Sequence, residues 1–345
     1  MAYTTIDNSE LYFQAKPYTG NSGTQSITLD GSENMAPDWV WIKSVAQVNN
    51  HTIFDSVRGA TKRLRSNQTN AENTSSGVTS FDTNGFSVGS DSATSSGTMV
   101  SWCWRAGGSA SSNSNGSITS SVSAGSTQGF SIVAYQGTGS DANVGHGLSS
   151  APELIITKSR GSTTDWKVHT SAIDGSWDVG TLNSTSAFGN SSYTAPTNSI
   201  FYVGSGSPTN ASGINYISYH FHSVKGYSLI SSYKGNGNDG DGSHIHCGFR
   251  PAYILIKSTA SSTNYPIIDN KRPGYNPANA PGNVLFANTS SAASSSATRI
   301  IDLNSQGFKI RGNNNDLNAS GNTFLFYAVA ESPFVNSNGV PNNAK

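Results

Sequence analysis

Three segments of the chain are apolar at almost every position: Trp39-Val40-Trp41-Ile42, Leu154-Ile155-Ile156 and Tyr253-Ile254-Leu255-Ile256. Each lies just after a proline (Pro37, Pro152, Pro251) and closes on or near a lysine (Lys43, Lys158, Lys257). Consecutive apolar residues rich in Ile, Val and aromatics predict a strand buried on both faces. A proline fits its start, where the backbone donor can be spared. Other segments alternate, as in Phe86-Ser87-Val88 and Tyr216-Ile217-Ser218-Tyr219-His220-Phe221. Alternation predicts one core face and one wetter face. Asn84-Gly85 and Gln306-Gly307 supply turns before the matching strands at Phe86 and Phe308. A helix of three turns is hard to place anywhere.

The apolar segments belong to a longer repeat. Upstream of each sits Tyr-x-Gly: Tyr18-Thr19-Gly20, Tyr135-Gln136-Gly137 and Tyr233-Lys234-Gly235. Downstream sits Ser-Gly and then an aromatic strand: Ser96-Gly97 before Trp102 and Trp104, Ser212-Gly213 before Tyr216 and Tyr219, Ser320-Gly321 before Phe324 and Tyr327. The markers recur in one order at intervals of roughly 100 residues, the size of a small domain and too long for a solenoid unit. With about six or seven strands each, the modules are expected to be antiparallel β-sandwiches of jelly-roll or lectin-like kind. The expected division is module 1 at 1–106, a linker at 107–128, module 2 at 129–225, and module 3 with a C-terminal tail at 226–345. The linker reading rests on composition, since 107–128 is nearly all Gly, Ser, Asn, Ala and Thr. Modules 2 and 3 meet at Lys225-Gly226 with no spacer.

Composition supports the all-β reading. Of 345 residues only 12% are charged, against roughly 25% in an average soluble protein, and glutamate, a strong helix former, occurs five times. Aromatic content of 10% argues against a disordered chain. Twenty basic residues balance twenty acidic ones, so no overall field draws the chain to nucleic acid. No apolar run is long enough to span a bilayer. Met1 to Asp7 lack the basic and apolar regions of a signal peptide, which predicts synthesis in a cytoplasm without general export. Two cysteines, Cys103 and Cys247, cannot make a disulfide framework.

Few residues suggest chemistry. Gly85-Phe86-Ser87-Val88-Gly89 matches the G-x-S-x-G nucleophile pattern, but its flanks read as strand where that motif needs a strained turn. The pairs His220/His222 and His244/His246 place two imidazoles on one strand face, a spacing that suits a transition metal; surface or partner-facing histidines are the simpler reading. The loop Asn236–Gly242 has a calcium-loop composition without EF-hand spacing, and an ordinary turn is favoured. Lys43 and Lys257 are followed twelve residues on by Asp55 and Asp269, which suggests structural ion pairs. Trp166 and Trp177, outside the regular strands, are the candidates for stacking on a sugar. No cofactor is expected.

Several stretches resemble virion proteins of marine tailed bacteriophages, those infecting cyanobacteria and other abundant ocean bacteria. They are Pro37–Lys43, Phe54–Ala60, Val144–Leu148, Phe221–Tyr227 and Ala330–Asn336, and together they span nearly the whole chain. The resemblance implies a tail-fibre-like or other surface structural protein and carries no catalytic motif. It points to a virion location, to other virion proteins and a host surface glycan as partners, and to a homo-oligomer, with a trimer as the guess from phage appendages. A capsid decoration protein is the alternative, and a carbohydrate-active enzyme the less favoured third.

Overall fold

The alternation hidden inside the apolar segments decides the architecture. The computed structural model describes residues 3–260, 262–273, 275–276 and 282–341, so the last four residues of the expected C-terminal tail lie outside it. Module 1 contributes β1 (Phe13–Asn21), β2 (Gln25–Thr28), β3 (Trp39–Ser44), β4 (Thr52–Asp55), β5 (Lys62–Arg63), β6 (Asn73–Thr74), β7 (Val78–Asp82), β8 (Gly85–Val88) and β9 (Ser96–Trp104). Next come β10 (Ser111–Asn113), β11 (Ser120–Gly125), β12 (Phe130–Gln136), β13 (Ala142–Gly145), β14 (Leu154–Ser159), β15 (Lys167–Thr170), β16 (Asp178–Thr181), β17 (Gly189–Asn190), β18 (Ile200–Val203) and β19 (Asn215–Phe221). Module 3 holds β20 (Ser228–Lys234), β21 (His244–His246), β22 (Phe249–Ser258), β23 (Pro266–Asp269), β24 (Gly282–Phe286), β25 (Ser294–Ser296), β26 (Ile301–Asn304), β27 (Gly307–Ile310) and β28 (Thr323–Pro333). The α-helices among the described residues are two four-residue turns, Ser92–Ser95 and Asn315–Asn318. The protein is all-β.

One strand order occurs three times. It is β1-β9-β3-β4 in module 1, β12-β19-β14-β15 in module 2 and β20-β28-β22-β23 in module 3, every pairing antiparallel. A smaller sheet backs each: β2-β8-β7, β13-β18 and β21-β27-β26. The Tyr-x-Gly and Ser-Gly markers now have physical reasons. The hydroxyls of Tyr18, Tyr135 and Tyr233 donate to the carbonyls of Thr94, Thr209 and Leu317 at 2.6, 2.6 and 2.7 Å. A Cβ on Gly20, Gly137 or Gly235 would come within 2.2, 2.3 or 2.4 Å of the backbone just before the Ser-Gly. Gly97, Gly213 and Gly321 hold φ of 72°, 73° and 78°, the left-handed region that favours glycine.

Each central strand is buried on both faces because each face meets a different core. Val40 and Ile42 point into a core private to module 1, with Phe86, Val88 and Met99. Ile155 lies in a private core of module 2, and Ile254 and Ile256 in one of module 3. The alternate residues Trp39, Trp41, Leu154, Ile156, Tyr253 and Leu255 all join one further cluster drawn from all three modules. There the Trp39 ring stacks on Tyr219 at 4.7 Å and lies 4.5 Å from Trp104 and 5.7 Å from Phe130. Tyr327 reaches Phe221 at 4.9 Å and Tyr253 at 6.2 Å. The modules therefore share an aromatic interior.

The stretch expected to be a linker is part of a sheet. β11 pairs along its length with β12, and β10 pairs with β11. Small polar residues suit this edge: Gly107 and Gly116 approach neighbouring backbone so closely that a Cβ would come within 2.4 and 2.5 Å of it. The composition that reads as flexibility here serves close backbone contact.

Candidate functional site

The contacts between modules close into a ring. Three equivalent backbone hydrogen bonds cross the junctions, each accepted two residues beyond a repeated lysine. Glu72 donates to Arg160 (2.9 Å), Phe188 to Thr259 (2.9 Å) and Ala293 to Val45 (2.8 Å), linking modules 1 to 2, 2 to 3 and 3 to 1. Side chains follow the same circuit. The Trp166 indole N–H donates to Arg65 (2.8 Å), and the His51 ring, which accepts from Trp41 Nε1 at 2.8 Å, reaches the Phe286 carbonyl at 2.9 Å.

The repeated lysines lie buried at these junctions and make no salt bridge among the described residues. Lys158 Nζ donates to the carbonyls of Ser162 in its own module and Thr69 in module 1 (3.3 and 3.1 Å). Lys257 Nζ donates to Thr263 in its own module and to Thr185 in module 2 (3.1 Å for the latter). Lys43 Nζ donates to Ser44 and Gln47 (2.7 and 3.1 Å). Burial pushes each ammonium down to about 8, so all three are cationic at neutral pH, held by carbonyl dipoles. The expected lysine–aspartate pairs do not form. Asp55 instead pairs with Arg58 (2.5 Å) and Asp269 with Arg272 (2.7 Å). Each of these carboxylates also accepts across a junction, Asp55 from Tyr219 Oη (2.7 Å) and Asp269 from Trp102 Nε1 (2.9 Å). Module 2 has Thr170 and Ile173 at the matching positions, and the half-buried Ile173 packs against the shared aromatic cluster.

The other sequence candidates scatter. Trp166 is fully buried as the wedge just described and has no face left for a sugar. Trp177 is half-buried and stacks on His169 at 5.9 Å. His220 is fully buried in module 2, stacked on His146 at 5.8 Å with Phe201 at 4.4 Å, and neither ring nitrogen has a hydrogen-bond partner among the described residues. His222 follows it at the strand end, whereas His244 and His246 are exposed on the small sheet of module 3. The two pairs are not brought together, and no group of three or more His, Cys, Asp or Glu suited to a metal occurs among the described residues. The Asn236–Gly242 loop is tied down by Asn318, whose Nδ2 donates to Asn236 and Asn238 (both 3.1 Å), with Asp241 paired to Lys309 (2.9 Å). Ser87 stands mid-strand beside Ser26 (3.1 Å) and Asp82 (2.9 Å), with no histidine in that group. Burial pushes both thiols up to about 12, which leaves them unreactive.

One open groove stands out. It encloses about 620 Å³ on module 2 and is lined by Asp141, Asn143, Tyr193, Thr194, Tyr202 and Ser205, among others. In modules 1 and 3 a third strand, β7 or β26, lies in the small sheet just before β8 or β27. In module 2 the corresponding stretch before β18 is irregular, and its residues Ser192 to Thr194 form one wall of the groove. Asn143 and Tyr202 face each other across the β13–β18 pair. The equivalent outward pairs are Ser26/Ser87 and His244/Lys309. The sequence reading missed this site, because its signal is a strand that is absent.

A family described as a domain of unknown function, DUF7483, matches residues 8–333. The chain belongs to this family. The matched span takes in all three modules and the ring that joins them, so DUF7483 corresponds to the fused assembly, not to a single sandwich. No curated protein and no solved structure was found to match the chain.

Proposed function

We propose that this DUF7483 protein is a non-catalytic surface structural protein of a tailed-bacteriophage virion, most closely a tail fibre or appendage subunit that contacts the host cell. The observation that carries the reading is the shared aromatic core: it makes one rigid body from three sandwiches and leaves their turn-rich outer sheets facing away from it. A body of that kind suits presentation of loops to a cell surface, where many copies on one particle multiply weak contacts. The resemblance of Pro37–Lys43 and Ala330–Asn336 to marine phage virion proteins supports the same reading.

Capsid decoration is the second reading. The ring of three sandwiches favours it in one respect, since it is a blunt body and the sequence has no heptad or fibrous repeat to drive a shaft. Antibody labelling and electron imaging of intact virions decide between the two. Label at the tail supports the appendage; label on capsid faces supports decoration; virions lacking the protein overturn both.

A further inference from the structure

We propose that the module 2 groove binds a neutral oligosaccharide through Tyr202, Asn143, Asp141 and the hydroxyls around them. The inference deepens the host-contact reading by assigning it a site and a ligand class.

Size comes first. A volume of about 620 Å³ lies inside the range of roughly 300–1,000 Å³ typical of small-ligand sites. The chemistry of the lining then narrows the ligand. It combines aromatic rings with short polar groups, as a ligand with both C–H faces and hydroxyls requires. Tyr202 is half-buried, and its hydroxyl makes no hydrogen bond among the described residues. Asn143 has its amide oxygen fixed by Ser117 N–H (2.7 Å), which sets the side chain and leaves the amide N–H₂ without a bond among the described residues. Asp141 is exposed and accepts from Ser205 N–H (3.1 Å), keeping further lone pairs for a ligand hydroxyl.

The groove is also held in place before anything binds. The Tyr193 hydroxyl bonds Thr209 Oγ1 (3.0 Å), and its ring stacks on His169 (5.4 Å), itself stacked on Trp177. Gly204 passes directly beneath that ring, where a Cβ would come within 2.5 Å of it. A wall with few freedoms to lose binds at lower entropic cost. Trp177 thus contributes from behind the site, as support for the stack. Among the described residues no Lys or Arg lines the groove and one carboxylate does, so phosphorylated, sulfated and sialylated ligands are disfavoured.

The test uses the full chain on an array of neutral oligosaccharides with their sialylated and phosphorylated counterparts, followed by calorimetry on the hits. Neutral oligosaccharides are expected to bind, with anionic counterparts at least tenfold weaker. Tyr202→Ala and the exposed Asp141→Asn should each weaken binding at least tenfold while thermal melting stays at the wild-type value. Gly204→Val, which pushes the Tyr193 ring aside, should abolish binding. The proposal is overturned if no neutral saccharide binds, if anionic ones bind as well or better, or if binding survives Tyr202→Ala and Asp141→Asn. This failure is separable from that of the host-contact reading, because virion labelling reports location whether or not the groove takes a sugar.

Discussion

The inner and outer faces of the large sheets are built from the same strands and have different roles. Outward residues such as Val40, Ile155 and Ile254 fill three separate cores, each closed by its own small sheet. Inward residues one position away, Trp39, Ile156 and Tyr253, meet in a single core common to all modules. The outer cores make each module a sandwich, and the inner one makes the sandwiches inseparable. Aromatic residues concentrate inside because large flat rings from three directions fill a space that no one module encloses. The outer sheets, freed from that constraint, differ: three strands in modules 1 and 3, two in module 2, and the groove where the third would be.

Removing one module tests this contrast most severely. Deleting residues 1–106 takes away Trp39, Trp41, Trp102 and Trp104 and exposes the facing rings of Phe130, Tyr219 and Tyr253. The remainder is expected to lose its cooperative melting transition and to bind a hydrophobic dye; a fragment melting within a few degrees of the full chain would show that the inner core is dispensable. Next in size, Trp39→Ala should cost about 3–5 kcal/mol by denaturant unfolding. Its effect should reach hydrogen-exchange protection in all three modules. Phe86→Ala, in the private core of module 1, should speed exchange mainly in β2, β7 and β8.

The junction lysines come third. Lys158→Met takes the ammonium donor from the half-buried Thr69 and Ser162 carbonyls, the first of which keeps the Thr164 N–H (3.0 Å), at about 1–3 kcal/mol in total. The loss is expected in the urea midpoint. Thr74→Ala, which removes only an exposed contact to Lys62, should leave that midpoint unchanged. Stability should also depend on pH. Burial holds His51 and His220 well below the ordinary imidazole range, His169 at about 4, and His146 lower than usual. The unfolded chain takes up these protons below about pH 6.5 and the folded chain does not, so stability falls as pH drops from about 6.5 toward 4. Each histidine contributes up to about 1.4 kcal/mol per pH unit. His220→Leu should flatten that slope, and a melting temperature independent of pH between 7 and 5 would contradict the assignment.

The strands and the threefold recurrence were legible because they are local. Consecutive apolar residues at Trp39–Ile42 imply burial on both faces, and Tyr-x-Gly and Ser-Gly mark one packed corner each time. What covers the second face was not legible, since Trp39 meets Tyr219 across 180 positions of chain and no local pattern records that distance. For the same reason Gly107–Gln128 read as a linker: small polar residues describe a solvated spacer and a sheet edge under close backbone approach equally well. Lys43 and Asp55 have ion-pair spacing, but Arg58 sits three residues from Asp55 and a guanidinium suits a buried carboxylate better. Trp166 and Trp177 lie outside the long central strands, which suggested exposure, yet Trp166 is a junction wedge. The groove depends on an irregular stretch before β18, and a missing strand leaves no motif.

Native-state hydrogen exchange on the intact chain tests the shared core most directly. The central amides of β3, β14 and β22 are predicted to open with one common free energy and one denaturant slope, that of global unfolding. Three separate free energies with shallower slopes, each module opening while the others stay closed, would contradict it.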